Sequence, residues 1–294
     1  MSKILVTGAS GHLGQSALHH LLDTYKVPAS DLVAASRDTS KLASLAAKGV
    51  ELRKADFDDS TSLENAFAGI DTVLIISTDA LAVPGQRLAQ HKAAVAAAVK
   101  AGVKHVAYTS MPNPDKSLVT FAPDHLGTEE AVKTSGLPYT IIRNAWYLDN
   151  YLHAMPHNLA TGQWYTATGD GKVSNISRDN CARAAAAALA KTTPENKTYT
   201  LTGPELLDAD QIAALISEAT GKPLSAIKVS REDLQKGIEG AGLPDFVSAM
   251  LASADANIAA GNFELLTADY ETLTGEKPQS AKAFFEANKA GLLG

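Results

Sequence analysis

The chain has 294 residues, of which 20% are charged and 45% apolar, ordinary values for a globular protein with room for a sizeable core. A net charge of −6 argues against nucleic acid or an anionic membrane as a partner. The single cysteine, Cys181, excludes an intrachain disulfide and a multi-cysteine zinc site, so no metal is expected. It also fits a reducing, cytoplasmic setting. The first strand begins within three residues of Met1, which leaves no room for a signal or transit peptide. No apolar run approaches the ~20 residues that span a bilayer. The alanine-rich stretches at 93–98 and 184–190 read as packed helices.

A short apolar run, Ile4-Leu5-Val6, leads into Gly8-x-x-Gly11-x-x-Gly14 and then an amphipathic segment over Leu13–Thr24. That is strand, glycine-rich turn and helix, the context in which such a triplet signals dinucleotide binding. Gly8 permits the tight turn, Gly11 carries no Cβ to obstruct a pyrophosphate, and Gly14 lets the helix approach the strand. Backbone N–H groups at Ser10, Gly11, His12 and Leu13, at the positive end of the helix, suit phosphate oxygens.

The next strand is expected at Leu32–Ser36, followed by a helix over Ser40–Lys48 and a strand at Val50–Ala55. Leu63–Phe67 lies in a third helix, Thr72–Ile76 is a strand, and a long helix covers roughly 84–101. His105–Thr109 is a strand, 124–135 a helix, and Tyr139–Arg143 a strand. Gly49, Gly69, Gly102 and Gly136 each close a helix just before the following strand. Short apolar strands alternating with helices give a parallel sheet covered on both faces, a doubly wound Rossmann-type α/β fold.

Beyond residue 150 the alternation stops. Ser177 and Asp179 open a helix over 178–190, and Thr198–Leu201 is a further strand of the main sheet. Asp208 with Gln211 forms a capping box for a helix through Thr220, ended by Gly221, and Ser230 with Asp233 resembles a second box. Helical patterns recur at 245–260 and 280–290. The organisation expected is a nucleotide domain over 1–150, completed by about 173–203. Residues 151–172 and 204–294 would form a smaller, helix-rich substrate lobe without a βαβ rhythm, over the carboxyl edge of the sheet.

The end of the second strand discriminates between nucleotides. An acid there would hold a ribose 2′-hydroxyl, but the residues are Ser36-Arg37. Arg37 offers a planar cation for a 2′-phosphate and Ser36 removes the repelling carboxylate, although Asp38 follows directly. NADPH is therefore the expected cofactor. Asp56 and Phe57, just after the third strand, fall beside the adenine; Ser77 and Thr78, after the fourth, fall along the riboses and phosphates. Each of these has an alternative reading as an ordinary loop residue. Cys181, in Asn180-Cys181-Ala182-Arg183, reads as a packing residue rather than a nucleophile.

Several longer segments carry a resemblance. They are Val6-Thr7-Gly8-Ala9-Ser10-Gly11-His12-Leu13-Gly14, Ala107-Tyr108-Thr109-Ser110, Asp124-His125-Leu126-Gly127-Thr128-Glu129 and Arg143-Asn144-Ala145-Trp146-Tyr147-Leu148-Asp149-Asn150-Tyr151. Gly169-Asp170-Gly171-Lys172, Gly242-Leu243-Pro244-Asp245 and Met250-Leu251-Ala252 add to them. Together they resemble the atypical short-chain dehydrogenase/reductases of the NmrA-like group. The nearest likeness within that group is to the type 2 NAD(P)H:quinone oxidoreductases and the related triphenylmethane-dye reductases. The resemblance implies an oxidoreductase acting on a quinone or similar aromatic electrophile. It places Thr109, Ser110 and Asn144 along the cofactor, and Gly169–Lys172 near the site mouth, although those four residues most simply form a turn.

One departure from ordinary short-chain dehydrogenases is informative. Their Tyr-x-x-x-Lys pair belongs on the helix after the fifth strand, where this chain has His125-x-x-x-Glu129. Tyr108 has no lysine four residues on, and Pro112 prevents a helix there. A carbonyl reduction needs a proton donor for its alkoxide. A quinone spreads the incoming charge over a conjugated ring and takes its protons from water. His125, Asn144 and Tyr147 are the candidate catalytic residues, and His125, Trp146 and Tyr147 the candidate substrate contacts. His125 reads either as a site-lining imidazole or as a cap in the first turn of its helix. Trp146 and Tyr147 read either as stacking walls for an aromatic substrate or as packing between lobes. The function expected is NADPH-dependent quinone reduction by direct hydride transfer, without flavin, since one dinucleotide motif serves one nucleotide. The alternatives are reduction of dyes or other conjugated electrophiles, or a non-catalytic NADP(H) sensor. Monomer and homodimer are both left open.

Overall fold

Side-chain alternation decides how each central strand is buried. In β1 (Ile4–Val6), Ile4 and Val6 enter one core while Leu5 enters the other. In β2 (Leu32–Ser36), Leu32 and Ala34 share the first core and Val33 and Ala35 the second. Both faces are apolar, so the sheet must be covered on both sides. The computed structural model describes residues 2–190 and 196–294.

The remaining strands of this sheet are β3 (Glu51–Lys54), β4 (Thr72–Ile75), β5 (His105–Ser110), β6 (Tyr139–Asn144) and β8 (Lys197–Leu201). They lie in the order β3-β2-β1-β4-β5-β6-β8, every pairing parallel. Strand order reverses between β1 and β4, which opens a crevice at their carboxyl ends. This is the expected Rossmann-type sheet, with the 197–201 strand at its edge.

One face carries α1 (His12–His19), α7 (Arg178–Ala190) and α11 (Asp269–Thr274). The other carries α3 (Ser60–Phe67), α4 (Gln86–Lys100) and α5 (Ala122–Thr134), while α2 (Ala43–Ala47) links β2 to β3. Helix α1 runs on through a π-helical turn at His20–Thr24, so the predicted 13–24 segment is two geometries end to end. Helix α3 contains the expected Leu63–Phe67 and starts at Ser60, where Asp59 caps the Thr61 and Ser62 N–H groups. Gly49, Gly69, Gly102 and Gly136 all take positive φ where the chain turns back into a strand. Cys181 is buried in the α7 packing face, and burial raises its thiol well above the usual range.

The helix-rich part beyond residue 150 contains α6 (Tyr151–Thr161), α8 (Ala209–Thr220), α9 (Arg231–Gly240), α10 (Asp245–Ala259), α12 (Ala281–Ala287) and α13 (Lys289–Leu293). A third hydrophobic cluster gathers Met155, Ile216, Ile258, Phe284, Phe285 and Leu292 with Met111, Val119 and Ala122. The Asp208/Gln211 box is complete. At Ser230 only half a box forms, because the Asp233 carboxylate takes the Ser230 hydroxyl instead of its backbone N–H.

The expectation that this part lacks a parallel βαβ element is corrected. Strands β7 (Gln163–Thr166) and β9 (Ser225–Lys228) pair in parallel, with Gln163 opposite Ser225 and Thr166 opposite Lys228. Each is only four residues long and half exposed, so neither leaves an apolar run in the sequence.

Candidate active site

The turn after β1 is shaped by what its glycines lack. A Cβ on Gly14 would stand 2.4 Å from the Gly8 carbonyl oxygen and 2.9 Å from the Ala9 Cα, so helix α1 can sit on the turn only with glycine there. Gly8 itself has φ +58°. Gly11 is the N-cap of α1 and supplies no side-chain acceptor, nor does the first turn contain an acid. The N–H groups of that turn therefore face the crevice with no helix carbonyl in reach.

A cleft of about 450 Å³ opens there, lined by Gly8, Ser10, Gly11, His12, Leu13, Gly14, Arg37, Asp56, Phe57, Ser77 and Thr78. All eleven are residues expected from the sequence to hold the cofactor. Ser36 bonds Ser10 across the cleft wall at 2.8 Å, and Arg37 is exposed at its rim. The Asp38 carboxylate caps the following turn through the Ser40 N–H and hydroxyl, bonds that hold its pKa down. Arg178, at the start of α7, also lines the cleft and lies 5.1 Å over the Tyr147 ring.

A second cavity of about 510 Å³ lies against the cleft, mostly apolar, walled by Met111, Phe121, Trp146, Leu243, Met250 and Phe263 among others. The two share Ser77, Thr78 and Tyr147. Thr109, Ser110 and Asn144 line this second cavity rather than the cleft. Asn144 donates from Nδ2 to the Tyr147 hydroxyl at 2.8 Å, while its buried Oδ1 has no partner. Burial pushes the Tyr147 phenol up, so it stays protonated.

The floor shared by both cavities is pinned from beneath. Thr7 accepts the Ile76 N–H, Thr109 the Ser77 N–H, and His91 Nε2 the Thr78 N–H, each at 2.9 Å. Arg87 Nε donates to the Thr78 carbonyl at 2.7 Å. Three consecutive loop amides are thus held by side chains from three other elements.

These bonds also decide where protons reside. Because His91 Nε2 accepts, its proton sits on Nδ1, which donates to Thr128 Oγ1 at 2.9 Å. Arg87 Nη2 can only donate, so His125 Nε2 accepts at 3.0 Å and His125 Nδ1–H donates to the Tyr108 hydroxyl at 2.8 Å. Both imidazoles are neutral. Burial, reinforced by the Arg87 charge, takes His91 down to about 3 and His125 well below the usual histidine range. Tyr108 is fully buried, and that burial pushes its phenol up. Arg87 is itself buried, lies 5.2 Å from the Phe121 ring centroid, and lines the cavity; its Nη1 has no hydrogen-bond acceptor, with Asp124 Oδ2 3.8 Å away.

Glu129 stands where ordinary short-chain dehydrogenases place a lysine. It is fully buried and accepts from Ser110 Oγ at 2.7 Å, Arg143 Nε at 2.8 Å, Arg143 Nη2 at 2.7 Å and Lys133 Nζ at 3.0 Å. Burial alone would raise its pKa, but these bonds hold it below the usual glutamate value. Among the described residues no cluster of His, Cys, Asp and Glu could hold a metal ion, and no helix is long and apolar enough to cross a membrane.

The sequence model of the NmrA-like family matches residues 1–274. The chain belongs to that family. This NmrA-like protein is 38% identical over 258 residues to quinone oxidoreductase 2 of Escherichia coli K12, covering 88% of each chain. It is 30% identical to an NAD(P)H azoreductase of Xenophilus azovorans over 98% of each. Among solved structures, the E. coli NADPH-dependent quinone oxidoreductase complexed with NADPH superposes with a TM-score of 0.92 at 35% identity, over 97% of this chain and 99% of that one. The triphenylmethane reductase of Citrobacter sp. complexed with NADP(H) gives 0.91 at 34%, over 98% and 100%.

Two expectations for the NmrA-like chain meet a different geometry. His125 does line the second cavity, but both its ring nitrogens are spent on Arg87 and Tyr108, so as placed it has no proton to offer a ligand. Gly169–Lys172 does not line that cavity, although Gly171 lines a smaller one that adjoins it. Asp170 pairs with Lys228 of β9, and Gly171 seats against the Ile258 carbonyl, where a Cβ would come within 2.3 Å. Sequence reasoning missed Thr7, Arg87, His91 and Arg178. A signal for two of them exists: Arg87, His91, Ala94 and Ala98 fall on one buried stripe of α4, where two large polar side chains are out of place.

Proposed function

We propose that this chain is an NADPH-dependent oxidoreductase that reduces quinones and related aromatic electrophiles by direct hydride transfer. The observation that carries the reading is the shared wall. A glycine-built, phosphate-competent cleft abuts a mostly apolar cavity across Ser77, Thr78 and Tyr147. The relatives' names and the NADP(H)-bound neighbours support the same cofactor and substrate class.

The cleft's features fit the group. Gly11 and the first turn of α1 would hold the pyrophosphate, Arg37 beside Ser36 the 2′-phosphate, and Asp56 with Phe57 the adenine end. When bound, the reduced nicotinamide supplies the hydride. The chain's own contribution is placement. Thr7, Thr109, His91 and Arg87 stiffen the 76–78 loop, Tyr147 and Asn144 border the junction, and Trp146 with Phe263 offers aromatic surface for a planar ring. Residues 1–150 with about 173–203 would form the nucleotide half, and 151–172 with 204–294 the substrate lobe.

Proton supply sets the substrate class. Tyr108 is buried out of reach, His125 is bonded at both nitrogens, and Tyr147 holds a raised pKa. Acceptors whose reduced forms delocalise charge and collect protons from water suit such a cavity. The buried Arg87 guanidinium on its wall favours the negative charge that develops. Following NADPH absorbance against a panel of quinones and dyes tests the reading. Saturable, quinone-dependent oxidation without added flavin is expected, whereas tight NADPH binding with no turnover across the panel would replace the enzyme with a sensor.

A further inference from the structure

A smaller cavity of about 110 Å³ adjoins the apolar one, the two sharing Trp146, Asn150, Ala154 and Leu251 in their walls. Its single acid is Asp255, on α10. Asp255 Oδ2 accepts the Ala167 N–H and the Thr166 hydroxyl, both at 2.8 Å. Among the described residues no cation contributes to its charge balance. Around it stand the rings of Trp146, Trp164 and Tyr151, the last two edge to face with centroids 5.7 Å apart. The rest of the wall is largely aliphatic.

The composition of this cavity selects a ligand type. A carboxylate without a counter-ion attracts positive charge, and aromatic faces attract it again through their quadrupoles. Of the remainder only Asn150 and Thr168 are polar, and neither carries a charge that would hold an anion. A cation clothed in methyl or methylene groups satisfies all three. Burial raises the Asp255 carboxyl, opposed only by its bonds to Ala167 and Thr166, so a neighbouring cation would favour its ionised form. At ~30 Å³ per water the volume suits a small head group, not a second ring.

We propose that this smaller cavity is a subsite for an organic ammonium group, carried at the far end of a substrate whose ring occupies the larger cavity. The identity of the larger cavity rests on the function proposed above; the ammonium site can be tested without it. Trp146 and Trp164 are the only tryptophans in the chain and both line the smaller cavity, so intrinsic fluorescence reports on it directly. The whole protein, without NADPH, is titrated with choline and with its uncharged carbon isostere, dimethylbutanol. Choline is expected to change the fluorescence saturably and to bind about ten-fold tighter than the isostere, or ~1.4 kcal/mol. Asp255→Asn keeps an acceptor for Ala167 and Thr166 and should bring the two ligands within about two-fold of each other, with Asp255→Glu restoring part of the preference. Equal binding of the two ligands by the wild type, no saturable signal, or undiminished preference in a folded Asp255→Asn protein would each overturn the proposal. Quinone turnover by the wild-type enzyme with NADPH is a separate measurement, so loss of one reading leaves the other standing.

Discussion

Most of the phosphate end of the nucleotide cleft comes from one short stretch, Gly8 to Gly14, whereas the cavity beside it draws Arg87, Phe121, Trp146, Met250 and Phe263 from positions scattered along the chain. The cleft binds with backbone N–H groups and with the absence of side chains, properties that adjacent residues can encode. The cavity works through side-chain surface, which only the tertiary fold assembles. Damage in the first should therefore be sharp and local. In the second it should be spread over packing and charge.

The largest effect expected is at Gly14. Even Gly14→Ala drives a methyl into the Gly8 carbonyl, so α1 must move off the turn; NADPH binding measured calorimetrically should fall below detection, with about 1–3 kcal/mol lost from urea unfolding. Wild-type affinity in that variant would mean the cradle is not this turn. Next is Arg37→Ala, which should weaken NADPH by roughly 10- to 150-fold, the equivalent of about 1.5–3 kcal/mol for a charged hydrogen bond, and leave NADH nearly unchanged. Equal losses would remove Arg37 from 2′-phosphate recognition.

On the cavity side, His91 and His125 are neutral in the fold and titrate near 6.5 when unfolded. Below pH 6.5 the unfolded chain binds protons that the folded one refuses, so their contribution is complete above that pH and declines as pH falls toward the depressed folded values. Between pH 7.5 and 5.5 each should cost about 1.4 kcal/mol of unfolding free energy. The pH slope should shrink in His125→Gln; an unchanged slope would contradict the neutral state of His125 in the fold.

The smallest effect belongs to Tyr108→Phe. With the phenol buried, quinone turnover should stay within a few-fold of wild type, far from the ~10²–10⁴-fold attached to a general acid. A hundred-fold loss with NADPH affinity retained would make Tyr108 the proton donor and end the account in which water supplies the protons.

Legibility in the sequence follows the same division. The βα alternation, the helix-closing glycines and the strand-end Ser36-Arg37 are local patterns, and each sits where its pattern implies. Strands β7 and β9 escaped because neither buries enough surface to leave an apolar run. Arg87 and His91 escaped because an alanine-rich helix looks complete without them. Their work is to hold the backbone of Thr78, on a loop far in sequence from the glycine motif whose cleft it shares. His125 was legible as lining the cavity, but the loss of both its nitrogens to Arg87 and Tyr108 depends on three elements meeting.

The charge knot at Glu129 bears on how the chemistry of this scaffold can drift. A single step that placed lysine at 129, toward the Tyr/Lys pair of ordinary carbonyl reductases, would bury a cation against the half-buried Arg143, with the exposed Lys133 beside it. Such an intermediate is strongly destabilised. Reaching that pair would need Arg143 replaced first, and Ser110 would lose its acceptor on the way. The walls of the adjoining cavity carry no such constraint and can vary while Glu129 stays fixed.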